Sequence, residues 1–371
     1  MPLIRSDLRL ALTAGLANAF ASLSPLAFGV YMPLAVLAVC TGTFGGSIVL
    51  GQQRILGSVI GMGVLILGLK GLSGISFPLA IAFCLGAMRL LGGLLGLEVG
   101  YKVGGMIIVM GWLVHDQQLT SWVPLRLFWT AAGIVLGVVS MRVLWPARAL
   151  PQAWRQQAAV LQALAENLDR VAIQIVEPGD PTPAKETANE EAPLQTLRQQ
   201  LGALRAALPA VNGELGQAGR QSPQARLLLM LLDTSSTLVS VLEGLQRHAP
   251  MAGATGTLVS LQEGEAKLVR TVADRLRLWA PLISQITADS LHPPPQPAWR
   301  APSSWQQLQP LLGDVSLREA DLARLQRHAS RLLHCGQAER AMLRTEALWT
   351  SISSSSPRNL RLPTRQQGVR P

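Results

Sequence analysis

Between Leu10 and Ser140 the chain carries seven charged side chains: Arg54, Lys70, Arg89, Glu98, Lys102, Asp116 and Arg126. Apolar runs separated by so few charges match the ~20 residues a helix needs to cross the ~30 Å hydrocarbon core of a bilayer. In that solvent every backbone group must be paired within the segment, which leaves helices as the natural solution. On this ruler the stretch divides into six spans, at about 8–27, 30–50, 55–72, 75–91, 94–115 and 122–145, joined by very short connections. After Pro146 the composition turns to Gln, Ala, Leu, Arg and Glu. The expected fold is all-α: a six-helix transmembrane bundle over 1–150 followed by a helical cytoplasmic domain over 151–350.

Within the second half, apolar positions at three- and four-residue spacing around Leu161, Leu164, Leu168 and Val171 predict a helix over 152–176. Further helices are expected at about 194–208, 224–248, 256–290 and 317–349. Residues 177–193 read as a flexible loop, 292–304 as a proline linker, and 351–371 as a disordered Ser-, Pro- and Arg-rich tail. The amphipathic faces of these helices call for partner helices, which makes assembly one expected role of the domain.

The net charge of +10 is mostly arginine. No basic stripe with interleaved aromatics accompanies it, so nucleic acid is not an expected partner. Membrane sorting explains the charge better. With the N-terminus inside, the inner side collects Arg5, Arg9, Arg54, Arg89, Lys102, Arg142, Arg148 and Arg155. The outer side receives Lys70, Arg126 and the polar loop His115–Gln118. That bias predicts cytoplasmic termini and a cytoplasmic second half. Arg5 and Arg9 ahead of an apolar run, with Ala17-Asn18-Ala19, imitate a signal peptide. The run continues past that point, which favours a first transmembrane helix.

Catalytic signatures are absent. The chain has no phosphate-binding Gly-x-x-x-x-Gly-Lys-Ser/Thr loop and no His-Glu-x-x-His element. Cys40, Cys84 and Cys335 show no disulfide or zinc spacing, and His334 beside Cys335 lacks further ligands. The expectation is a protein that is not an enzyme and holds no metal or cofactor.

What carries chemistry is the polar content of the apolar half. Gly51-Gln52-Gln53-Arg54 reads as a polar turn ahead of a run apolar to Leu69, placing Arg54 at a membrane edge or on a polar pathway. Glu98 and Lys102, one turn apart, are expected to meet as an ion pair near the cytoplasmic end of the fifth span. Glu98 is then a structural partner or a proton acceptor, and Lys102 its alternating partner or an anion contact. Arg89 and Arg54 near the same edge complete a cationic mouth suited to carboxylates. Glycines recur at four-residue spacing: Gly57 and Gly61; Gly92, Gly96, Gly100 and Gly104; Gly133 and Gly137. In lipid such residues let helices approach closely, whether as fixed packing or as a sliding interface.

Arg54-Ile-Leu-Gly57-Ser58-Val-Ile-Gly61 resembles the Arg-x-x-Gly-Thr-x-x-Gly element of fusaric acid resistance-like proteins, in the aromatic acid exporter superfamily. Arg126 ahead of Gly133 and Gly137, with a Leu144-Trp145-Pro146 exit, agrees with it. Ser58 stands where threonine is usual and keeps the hydroxyl. Many such relatives carry two membrane units in one chain, so a single unit implies a homo-oligomer. The resemblance implies export of small organic anions, often aromatic carboxylates, across a bacterial inner membrane, with Arg54, Gly57, Ser58, Gly61 and Arg126 carried over. Arg89, Glu98 and Lys102 join that pathway on the charge argument alone. The leading expectation is a proton-coupled efflux permease. A passive organic-anion channel of the same fold and a membrane-anchored scaffold with a helical interaction domain stand as alternatives.

Overall fold

The computed structural model describes residues 5–40, 42–72, 74–114, 118–176, 186–219, 221–248, 257–287, 291–306 and 322–354. Among them twelve helices occur: α1 (Arg5–Leu23), α2 (Tyr31–Val39), α3 (Phe44–Gly71), α4 (Phe77–Leu94), α5 (Gly100–Leu113), α6 (Leu119–Val143), α7 (Ala149–Val176), α8 (Glu186–Gly219), α9 (Pro223–Arg247), α10 (Thr257–Ser284), α11 (Ser303–Gln306) and α12 (Leu322–Ser354). The chain divides into two compact units. Unit 1 is Met1–Ala149 with Pro209–Gln217, and unit 2 is Leu150–Leu208 with Ala218–Pro371.

A six-helix transmembrane bundle followed by a separate cytoplasmic domain is not what forms. Four helices among the described residues are long and apolar enough to cross a membrane: α3, α4, α6 and α9. They support a multi-pass membrane protein. The expected spans 30–50 and 55–72 are redrawn as a nine-residue α2 and a 28-residue α3. The break falls at Cys40–Thr43, where the Thr43 side chain caps α3 by accepting from the Gly46 N–H at 3.2 Å. At 1.5 Å per residue α2 covers about 13 Å and the 14-residue α5 about 21 Å, short of the hydrocarbon thickness. The first helix has length enough, yet Arg5, Asp7 and Arg9 occupy its start. The fourth candidate, α9, belongs to unit 2, and 61% of its most apolar window is buried by protein.

Backbone-to-backbone approach organises unit 1. A Cβ at Gly57 would strike the Gly100 backbone, and one at Gly61 would lie 2.5 Å from the Gly104 Cα, so α3 and α5 touch through bare glycine. On α6 a Cβ at Gly133 would strike the Met32 carbonyl of α2, while Gly137 sits in ordinary contact with Cys40. The same device recurs where α8 meets α3: a Cβ at Gly45 would strike Ala210, and one at Gly213 would lie 2.7 Å from Val49. Helix α4 stops in a Schellman arrangement, with Leu97 N–H donating to Gly92 O at 2.8 Å and Gly96 N–H to Gly93 O at 3.3 Å. That ending needs a left-handed residue, and Gly96 supplies it at φ +64°. Arg9, 3% exposed, donates to the Trp145 carbonyl at 3.0 Å and so ties α1 to the end of α6. A cation there also complements the negative end of the helix dipole.

Unit 2 is a packed helical core. Leu161, Leu164, Leu168 and Val171 of α7 are buried, as their spacing predicts. Helix α9 opens with Ser222 accepting from the Ala225 N–H at 3.2 Å and Pro223 in the first turn. Two buried carboxylates cross-link the core. Glu265 accepts from Arg331 at 2.7 Å. Glu346 accepts from Arg275 Nε at 2.5 Å, Trp279 Nε1 at 3.1 Å and Trp299 N–H at 2.6 Å. Arg275 also donates to the Pro295 and Pro297 carbonyls, so the proline segment is held against α10 and α12. The expected helix over 194–208 is longer, running from Glu186 to a kink at Gly216, where φ is +68°. Residues 177–185 of the expected loop and 355–371 of the expected tail lie outside the described residues, whereas 351–354 complete α12.

Candidate functional site

Helix α3 turns about 100° per residue, and its buried positions fall on two adjoining strips. Gly57, Gly61 and Gly68 face α5 and the side chains around it, while Gly51 meets Ile134 of α6 and Ile55 packs with Ala35 and Val39 of α2. Arg54 projects between those strips, with Ser58 one turn further on. The polar turn expected at 51–54 is therefore the interior of a continuous helix, and half-buried Arg54 is its eleventh residue. Gln and Arg are good helix formers, so the polarity of 52–54 does not by itself mark a turn.

Arg126 was assigned to the outer edge by charge counting. In the fold it lies inside α6 and is 6% exposed. Its guanidinium carbon sits 4.0 Å from the Tyr31 ring centroid and 5.1 Å from that of Trp122. The Trp122 indole N–H donates to the Tyr31 hydroxyl at 3.1 Å, which fixes the two rings edge to face. Desolvated cation–π contacts of this kind are worth about 2 kcal/mol. Arg126 Nη1 approaches the Met110 sulfur at 3.8 Å, and Nε has no hydrogen-bond partner among the described residues. Ser58 Oγ, 1% exposed, is likewise buried without a partner.

Arg54 lies within electrostatic reach of Arg126. Neither is in an ion pair with a carboxylate among the described residues. Two guanidinium groups in an apolar bundle, with Arg126 Nε and Ser58 Oγ left to satisfy, make this a candidate site for an acceptor carrying negative charge. Tyr31 and Trp122 had no motif to announce them. A usable signal existed all the same: the chain has two tyrosines, and both lie in its apolar half.

The remaining residues of the expected mouth are placed elsewhere. Glu98 is exposed in the turn between α4 and α5, and Lys102 is exposed at the third residue of α5. The expected Glu98–Lys102 ion pair does not form among the described residues, because the helix they were to share begins only at Gly100. Arg89 instead stacks on Tyr101 at 4.4 Å, with Lys102 Nζ 5.9 Å from the same centroid. The glycine positions also separate. A Cβ at Gly92 would strike Tyr101 and one at Gly104 would strike Met88, whereas Gly96 has open space around it and serves to end α4. No group of three or more His, Cys, Asp or Glu side chains is arranged to hold a metal among the described residues. Cys335 is wholly buried, and burial pushes its thiol well above the usual range.

Comparison with known proteins places a domain of the family described as Fusaric acid resistance protein-like over residues 16–140. That match covers about a third of the chain and contains Arg54, Ser58, Arg89, Glu98, Lys102 and Arg126. No curated protein matches the chain.

Proposed function

We propose that unit 1 exports small organic anions, aromatic carboxylates among them, across the bacterial inner membrane, working as a homo-oligomer with both termini in the cytoplasm. The carrying observation is Arg126: a guanidinium buried in an apolar bundle, stacked on Tyr31 and Trp122, with its Nε unpartnered. A carboxylate supplies the counter-charge and an acceptor for the unpartnered Nε, through short charge-assisted hydrogen bonds. Arg54 adds a second positive charge within reach, and Ser58 a hydroxyl able to donate to a carboxylate oxygen.

The test is accumulation of labelled aromatic and dicarboxylic acids in cells expressing wild type, Arg126→Ala or Arg54→Ala at equal membrane levels. Wild type should lower accumulation and both variants should restore it. Equal accumulation in all three for every acid in the panel would defeat the proposal. Arg126→Lys separates the requirements, since it keeps the charge and loses the planar fork.

A second reading, a passive anion channel, is favoured by the position of Glu98. Its carboxylate is exposed in a turn and not paired with Lys102, so the ion pair on which the proton-coupled reading leaned is missing among the described residues. A protonophore decides between the two. Uphill efflux that collapses supports a proton-coupled permease, and downhill flux that persists supports a channel.

A further inference from the structure

We propose that the α4–α5 turn is a binding site for the phosphate of an anionic glycerophospholipid, held between Arg89 and Lys102 against Tyr101. This inference does not depend on the transport reading. The two cations lie 4.4 Å and 5.9 Å from one tyrosine centroid, and neither is hydrogen-bonded or ion-paired to protein among the described residues. Tyr101 is itself located, because its Cβ abuts Gly92 in the last turn of α4. The turn is anchored to α3 by the Gln53 side chain, which accepts from the Val99 N–H at 2.9 Å.

Around this cationic pair the surface is apolar. Leu90, Leu94, Leu95 and Met106 are 71%, 84%, 58% and 54% exposed. Such side chains suit acyl chains, while Arg89 and Lys102 extend along them to the headgroup level. Arg89 is the single charge on the 18-residue α4 and stands five residues from its end, about 8 Å by helical rise. A charge at that depth in an apolar helix belongs at the interface, where tyrosine is also favoured. Each basic residue near the surface strengthens attraction to anionic lipid by about fivefold. Glu98, exposed in the same turn, opposes it.

The full chain, stripped of lipid in detergent, is mixed with vesicles of phosphatidylcholine containing or lacking phosphatidylglycerol, and retained lipid is counted by native mass spectrometry. Wild type should retain phosphatidylglycerol preferentially. The Arg89→Ala/Lys102→Ala double variant should lose that preference by about twentyfold or more. Glu98→Gln should strengthen it by up to about fivefold, and this arm stands even if the double variant fails to fold. Tyr101→Phe, which keeps the ring, should retain the preference. Equal preference in wild type and the double variant overturns the proposal. So does full competition by soluble glycerol phosphate, which would mark a site for free phosphate. So does a wild-type dimer that closes this face and retains no anionic lipid.

Discussion

Replacing Glu346 by alanine should be among the most damaging single changes in unit 2. The carboxylate accepts from a guanidinium, an indole N–H and the Trp299 backbone N–H, all buried. Its loss leaves Arg275 without a counter-charge and strands two donors. Removing one partner of a buried pair costs about 3–5 kcal/mol, because the remaining charge keeps its desolvation penalty. Arg275 retains its bonds to the Pro295 and Pro297 carbonyls, which moderates the loss toward ~4 kcal/mol. For a body of about 200 residues each kcal/mol lowers the midpoint by roughly 2–4 °C, so the expected fall is about 8–16 °C. The assay is thermal unfolding of the full chain in detergent, followed by tryptophan fluorescence. Trp279 and Trp299 bond to Glu346 directly and report the break locally. Glu243→Ala is the control. It also removes a carboxylate shared by two arginines, Arg198 and Arg247, but those partners are 52% and 68% exposed, and such surface pairs contribute about 0–1 kcal/mol. A Glu346→Ala midpoint within a degree or two of Glu243→Ala would refute the assignment of Glu346 as a buried cross-link.

Gly57→Leu should disrupt the α3–α5 contact, since its Cβ would meet the Gly100 backbone rather than a side chain able to move. Overpacking costs about 1–3 kcal/mol or more, to be read as an earlier melting midpoint, whereas Gly63→Leu, facing open space, should change little. Cys335 should resist maleimide in the folded chain and react on denaturation, because the thiol is fully buried and its pKa is raised; rapid labelling of the native protein would contradict this. Arg198 holds the Glu243 carboxyl below its ordinary range. A depressed carboxylate contributes stability that is complete above its unfolded value, near 4.3, and is lost as pH falls through the lower folded value. Wild type and Glu243→Gln should therefore differ by a constant amount from pH 7 to 5 and converge under stronger acid, as midpoints measured across that range would show.

Apolar runs broken by few charges were enough to read a helical chain with several membrane-crossing segments, and α3, α4 and α6 are long and apolar enough to be such segments. The sequence also determined which α7 positions are buried, since Leu161, Leu164, Leu168 and Val171 repeat with the helical period. Hydropathy measures how apolar a segment is and carries little about where a helix begins. The break at Thr43, the glycine-dictated end of α4 and the short α5 were settled by capping and packing, and with them the six expected spans were lost. The site followed the same division. Arg54 was legible as a polar group at the start of an apolar run, whereas Ser58 and Arg126 entered only through the family resemblance. Their neighbours were not legible. Tyr31 and Arg126 are 95 residues apart in sequence, and the α2–α6 contact through Gly133 brings their helices together. Glu98 and Lys102 have ideal helical spacing, but Glu98 lies in the turn before α5. Local pattern specifies which residues a helix offers; only the packing of helices against one another decides which of those residues meet.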